Sequence, residues 1–184
     1  MQRHKRLWAL AVSTSLLAIS AAAYAALAGP TDARVMFQCS GPAGLKIEGT
    51  TTEIAVAEDS GSVSITVPLA NLSTGIALRD RHMKEKYLEV QTYPTAMLII
   101  ARSGLKLPPS GERLEADVPG MVKIHGKAKT VTVHYDAKSE GGLYAAHGQF
   151  HINMNDFGIS VPSYLGVTVK PEVDVSASFR VTGS

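Results

Sequence analysis

Cysteine is almost absent from this chain. Cys39 is the only one, so no intrachain disulfide can form and the fold must stand on its apolar core. On its strand Cys39 shares a face with Val35 and Phe37, and it reads as a small buried apolar residue; an intermolecular disulfide is the competing reading. Tryptophan is equally scarce, and aromatics make up only 6% of the chain. A membrane barrel needs aromatic girdles at both interfaces, and this supply cannot build them. Apolar runs long enough to span a bilayer as a helix are missing beyond the N-terminus. The chain also lacks Gly-x-Ser-x-Gly, HExxH, an acidic dyad and a nucleophile–base pairing, so it is expected not to be an enzyme.

What the N-terminus does contain is a targeting pattern. Arg3, Lys5 and Arg6 precede an apolar stretch from Leu7 to Ala23, and two small-x-small sites follow, Ala23-Tyr24-Ala25 and Ala26-Leu27-Ala28. This predicts a cleaved secretory signal peptide over residues 1–25, with cleavage after Ala28 as the variant, and a domain over 29–184. An uncleaved anchor is opposed by the short core and its small-residue ending. Removing those three cations from the 18 Lys and Arg leaves 15 against 16 Asp and Glu, a formal charge of −1. The basic balance of the whole chain therefore belongs to targeting, and a nucleic-acid partner is not expected.

The remaining chain alternates apolar and polar residues. Val167, Val169, Val173, Val175, Ala177, Phe179 and Val181 share one parity, with Pro171 expected to break that strand. The same period of two recurs at Val63–Leu69, Leu114–Val118 with Val122 and Ile124, Val131–Tyr135 and Tyr144–Met154. His125-Gly126 reads as a tight hairpin turn. Eight strands are expected, near 35–40, 45–56, 62–69, 95–103, 112–125, 129–138, 143–154 and 166–181. Leu72–Pro94 interrupts the pattern with a short helix over Ala77–Tyr87, for which Thr74 is the candidate cap. It is expected to cover the outer face of the strand around Thr95–Ala101, which is apolar on both parities.

These features predict an all-β, eight-stranded antiparallel up-and-down barrel, lipocalin-like, with one short helical insertion between strands 3 and 4. Closure buries the dry face without leaving edges. Eight strands leave an interior that is filled or holds one small ligand. The Val- and Ala-rich dry face, with Gly148, favours a cavity.

Leu72–Pro94 also carries a family likeness. The run TGIALRDRHMKEKYLEVQTYP resembles the YceI-like family, the polyisoprenoid-binding, lipocalin-like periplasmic proteins, through Thr74, Gly75, Arg79, Asp80, His82, Met83, Leu88, Glu89, Val90, Tyr93 and Pro94. GMVKIHGKAKTVTV resembles a second motif through Gly120, Ile124, His125, Gly126, Lys129 and Val131, and NMNDFGI a third through Asp156–Ile159. Two departures stand out: the usual Trp-x-x-D start is reduced to TDARVMFQCSG, and Met154 or Asn155 replaces an Arg. The resemblance implies a Gram-negative periplasmic location and an elongated cavity for an isoprenoid, a quinone tail or a fatty amide.

Candidate cavity residues follow from parity: Phe37, Val67, Val133, Tyr135, Phe150, Ile152, Val175 and Phe179. Arg79 and His82 are the candidates for a head group, against a plain solvated helix face with internal ion pairs. His147 and His151 share a wet face about 13 Å apart, too far for one ion, so no metal site is expected. His125 reads as a turn residue, and Asp156-Phe157-Gly158 as a barrel-end plug. The expected partner is a lipid-like small molecule, with no cofactor beyond it and no membrane span after cleavage; a homodimer is compatible. A ligand-free adaptor barrel and a haem or redox-associated protein are the competing functions.

Overall fold

The structure, a computed structural model, describes residues 30–59, 61–164 and 166–182. The expected signal peptide lies outside the described residues. Among them, no helix is long and apolar enough to cross a membrane.

The chain is all-β with one short helical insertion. Its strands are β1 (Thr31–Ser40), β2 (Lys46–Thr51), β3 (Ala55–Glu58), β4 (Ser62–Pro68), β5 (Thr95–Ala101), β6 (Arg113–Ile124), β7 (Lys127–Glu140), β8 (Leu143–Asn153), β9 (Ser163–Tyr164), β10 (Val167–Thr168) and β11 (Glu172–Thr182). Nine of them form one curled antiparallel sheet in the order β2-β1-β11-β8-β7-β6-β5-β4-β3, and β9 with β10 forms a small ribbon.

The count of eight strands is therefore corrected to nine in the main sheet. The expected strand at 45–56 is two strands, β2 paired only with β1 and β3 only with β4. The cause is local. Thr51, buried, accepts the N–H of Glu53 on its hydroxyl at 3.1 Å, and the Glu53 carboxylate binds the Asn71 side-chain amide. The chain thus leaves one ladder at Thr51 and enters the next at Ala55. The sheet's two end strands are consecutive in sequence but not hydrogen-bonded to each other, so the ring of backbone bonds is open there. Ser73 bridges Thr50 at this seam, at 2.8 and 3.0 Å, and so shields part of the free β2 edge.

Alternation fixes which face is dry. Along β7, Val133, Tyr135, Ala137 and Ser139 are buried, while Thr132 and Lys138 are exposed. Along β6, Val118, Gly120 and Val122 are buried between exposed Asp117, Pro119, Met121 and Lys123. Pro171 breaks the last strand as expected, with β10 ending at Thr168 and β11 starting at Glu172. Its freed carbonyl accepts the Met154 N–H at 2.8 Å. The β6–β7 turn is built on His125 (φ 52°) and Gly126 (φ 72°), the left-handed pair that suits a two-residue hairpin.

Two buried clusters line the inside of the sheet. One gathers Cys39, Val122, Met154, Phe157, Ile159, Val169 and Val173; the other gathers Ile100, Val118, Val133, Tyr135 and Ala137. Phe157 is 1% exposed, and Gly158 ends its turn at φ 70°.

The helical insertion is α1 (Ala77–His82), continued by a wider π turn over Met83–Tyr87. Its placement corrects two expectations. It does not pack over β5; Tyr87 and Leu88 pack on the Cys39–Phe157 cluster instead, because Met83, Tyr87 and Leu88 share one half-buried face. Nor does Thr74 cap it: Ile76 holds the N-cap position, and Thr74 is bound by Asp80 and Arg79.

Candidate functional site: a two-chambered apolar interior

The curled sheet encloses two adjoining chambers. The larger, about 820 Å³, lies on the side of α1 and the Cys39–Phe157 cluster. The smaller, about 340 Å³, lies against the Val118–Tyr135 cluster. Ile65, Leu98, Phe150 and Ala177 border both, so they form the partition.

The eight cavity candidates are distributed between these chambers. Phe37, Val67, Ile152 and Val175 line the larger; Val133, Tyr135 and Phe179 line the smaller; Phe150 lines both. The interior is thus divided at Phe150. Leu69, Met154 and Val169, at the ends of dry-parity runs, also line the larger chamber, and parity alone missed Leu72, Leu88 and Ile159. Those three sit in turns and loops, where period two carries no information. Glycine 49 was missed too. A Cβ there would lie 2.3 Å from the Phe37 ring, its cross-strand partner, so the absence of a side chain lets Phe37 lie flat along the wall.

Polar groups gather at the borders. Arg79, His82 and Lys86 border the larger chamber. Arg79 donates from Nε to the Thr74 hydroxyl and from Nη2 to the Thr74 carbonyl, both at 2.8 Å. That hydroxyl donates in turn to Asp80, which also accepts the Thr74 N–H and the Ser73 hydroxyl at 2.7 Å. Burial pushes the Asp80 carboxyl up, but the bonds from Thr74 and Ser73, with Lys84 nearby, outweigh it and hold the group below the usual carboxylate range. Asp80 is therefore an anion that fixes the helix start, and Arg79 is held in place with its guanidinium still at the chamber border. Burial pushes the Cys39 thiol up, against an opposing pull from Arg79. Cys39 is thus a neutral wall residue.

The smaller chamber differs. Arg102 Nε donates to Glu58 Oε1 at 2.7 Å, so its two charged border residues are already paired. The Tyr135 hydroxyl donates to the Lys106 carbonyl at 3.0 Å and accepts the Lys106 N–H at 2.9 Å. This buried phenol is saturated and presents only its ring inward.

The histidines sort by face. His134 touches Glu115 and Asp117, and His151 touches Asp174, all on the outer surface. His147 is exposed and edges the smaller chamber. Among the described residues no three His, Cys, Asp or Glu side chains cluster as a metal site would require.

His125 holds a clasp. Its Nδ1 lies 3.2 Å from the Phe157 carbonyl oxygen, which can only accept, so this nitrogen carries the hydrogen. Its Nε2 lies 3.3 Å from Glu89 Oε1, at an angle that makes no hydrogen bond. The Tyr93 ring packs on the imidazole with centroids 4.5 Å apart, and a Cβ at Gly126 would meet that ring at 2.9 Å. Three sequence-distant motifs therefore converge on one contact at the end of the sheet.

With this geometry in view, known proteins supply a frame. The sequence pattern describing the YceI-like domain matches residues 29–181. The chain belongs to the YceI-like family. A UPF0312 protein of Pseudomonas savastanoi pv. phaseolicola is 30% identical over 136 residues, covering 70% of this chain and 67% of that protein. A UPF0312 protein of Pseudomonas putida strain W619 is 28% identical over 135 residues, covering 70% and 68%. Among solved structures, a polyisoprenoid-binding domain of Saccharophagus degradans shares the fold with a TM-score of 0.67 at 16% identity, covering 86% of this chain and 99% of that one. BcnA of Burkholderia cenocepacia does so with a TM-score of 0.64 at 22% identity, covering 82% and 96%. The curled sheet is thus the fold of a YceI-like domain.

Proposed function

We propose that this YceI-like protein is an exported, periplasmic carrier that holds an amphipathic lipid by burial and performs no catalysis. The ligand classes are a polyisoprenoid, an isoprenoid quinone or a fatty amide. The observation that carries this reading is the larger chamber: about 820 Å³ walled by apolar side chains, with its charged residues confined to the border. An apolar chain gains about 25 cal/mol for each Å² it buries there, before binding costs. The polyisoprenoid-binding domain of Saccharophagus degradans, which shares the fold, favours the same ligand class.

In this reading the apolar tail lies in the larger chamber and reaches the smaller one past Phe150. The head group stays at the border, where Arg79 and Lys86 offer cationic donors and His82 an imidazole. The open chambers favour a carrier over a filled adaptor barrel. The outward placement of His134 and His151 disfavours haem ligation inside the sheet.

The test is a lipid extract of the protein purified from its exporting cell, read by mass spectrometry. One apolar-chain lipid per protein is expected. Protein that is repeatedly empty, and that takes up no isoprenoid alcohol or quinone in titration, overturns the proposal.

A further inference from the structure

Among the described residues seven large apolar side chains stand exposed, and four of them converge. Leu45 (38% exposed), Ile76 (52%), Leu78 (49%) and Val167 (43%) all border the larger chamber. They come from three separate places: the turn before β2, the start of α1 and strand β10. A single exposed Leu calls for no explanation, but four around one opening do. The charge there is also one-sided. Arg79 and Lys86 border this chamber, and no carboxylate does among the described residues.

Apolar tips interleaved with cations have the composition of a surface that enters a bilayer's headgroup layer. The tips leave water for the acyl boundary, and the cations meet phosphate. A second copy docking through the same patch would set these cations against their own counterparts, because a two-fold interface opposes each surface to itself. An acidic bilayer supplies the opposite sign.

We propose that the mouth of the larger chamber, rimmed by Leu45, Ile76, Leu78 and Val167 with Arg79 and Lys86, docks on an anionic phospholipid membrane. A docked mouth lets a lipid tail pass between bilayer and chamber without crossing water. That transfer rests on the carrier reading above; the docking itself rests only on the rim and its charge.

The test uses chain 29–184, which contains every strand of the sheet, floated with phosphatidylcholine vesicles with and without phosphatidylglycerol. Flotation is expected only with phosphatidylglycerol, and it should fade in high salt. Lys86→Glu changes two charges and should lower partition about twentyfold. Leu78→Ser should lower it about tenfold. Leu143→Ser and Met121→Ser, at exposed apolar sites away from both chambers, should bind like the parent chain. Circular dichroism of each variant verifies folding.

Failure to float with anionic vesicles overturns the proposal, as does an equal loss in Leu143→Ser. A dimer that Leu78→Ser breaks, with no flotation, assigns the mouth to a second copy and overturns it too. Flotation by a chain that yields no extractable lipid supports docking while removing the carrier reading. Extractable lipid without flotation does the reverse.

Discussion

The larger chamber is bordered by Arg79, His82 and Lys86, whereas the smaller one is bordered by Glu58 and Arg102, which are paired with each other at 2.7 Å. Both draw walls from β4, β5, β8 and β11 and both touch Phe150, while β1, β2 and β6 line only the larger and β3 and β7 only the smaller. They differ as well in what flanks the strands. The helical insertion lies on the larger side and brings Arg79 and Lys86 to its border, while the Asp80 carboxylate is turned back to Ser73 and Thr74. The smaller side is closed by the short turn at Arg102–Gly104 and the segment after it, where Arg102 reaches Glu58 and the Leu105 carbonyl. One sheet thus presents one end with cations available to an anion and one end already neutralised.

This contrast can be broken or sharpened by substitution. The largest effect is expected from Phe157→Ala, which removes a fully buried ring from the cluster under the larger chamber and leaves the other cluster intact. Urea unfolding should show a loss of about 3–5 kcal/mol. A loss below about 1 kcal/mol would mean that the cluster collapses onto the space, and that Phe157 does not close this end.

Phe150→Ala attacks the partition itself. Phe150 is only partly buried, so the stability cost should fall at or just below the low end of the range for such truncations, about 2–3 kcal/mol. The two chambers then merge, and the extracted lipids should shift to longer or bulkier chains. An unchanged lipid profile would show that the tail never passes Phe150.

Gly148→Ala acts on the smaller chamber alone. A Cβ there meets Val133 Cγ1 at 3.5 Å, an ordinary contact, so nothing has to move. Alanine should stabilise the strand by about 0.5 kcal/mol, since glycine loses more backbone freedom on folding. It should also shorten the preferred chain while leaving the head group unchanged. Destabilisation in urea, or a change of head-group class, counts against the division of roles between the chambers.

The smallest effect is expected at His134, which belongs to neither chamber. The Asp117 hydrogen bond holds its imidazole above the ordinary histidine range, with the charges of Asp117 and Glu115 adding to it. Its folded value is raised, so its contribution to stability is fully present below the unfolded pKa and fades as pH rises through the folded one. An NMR titration should show this, and Asp117→Asn should return the group towards its ordinary value. A His134 that titrates as in a free peptide refutes the contact.

Much of this was legible before any coordinates. The dry parity of Val133, Tyr135, Phe150 and Val175 named chamber walls because period two in a strand has one geometric meaning. Pro171 named a break because it has no N–H to give. The likeness carried by Leu72–Pro94 named the family. Other features were not legible. The split at Thr51 depends on a side-chain hydroxyl taking the Glu53 N–H, a local bond that competes with the strand ladder. Leu72 and Ile159 line the larger chamber from loops, where no periodicity marks them. Motif residues His125, Tyr93 and Phe157 are far apart in sequence, and only folding shows that they form one clasp.

By itself, then, the sequence determined which side of each strand is dry and where the ladder had to stop. These are local matters, decided by alternation and by the missing N–H of proline. Only the tertiary structure decided that the interior is two chambers, that Phe150 divides them, and that the cations of α1 stand at one opening. The reason is that these depend on how strands and loops distant in sequence meet across the curl of the sheet.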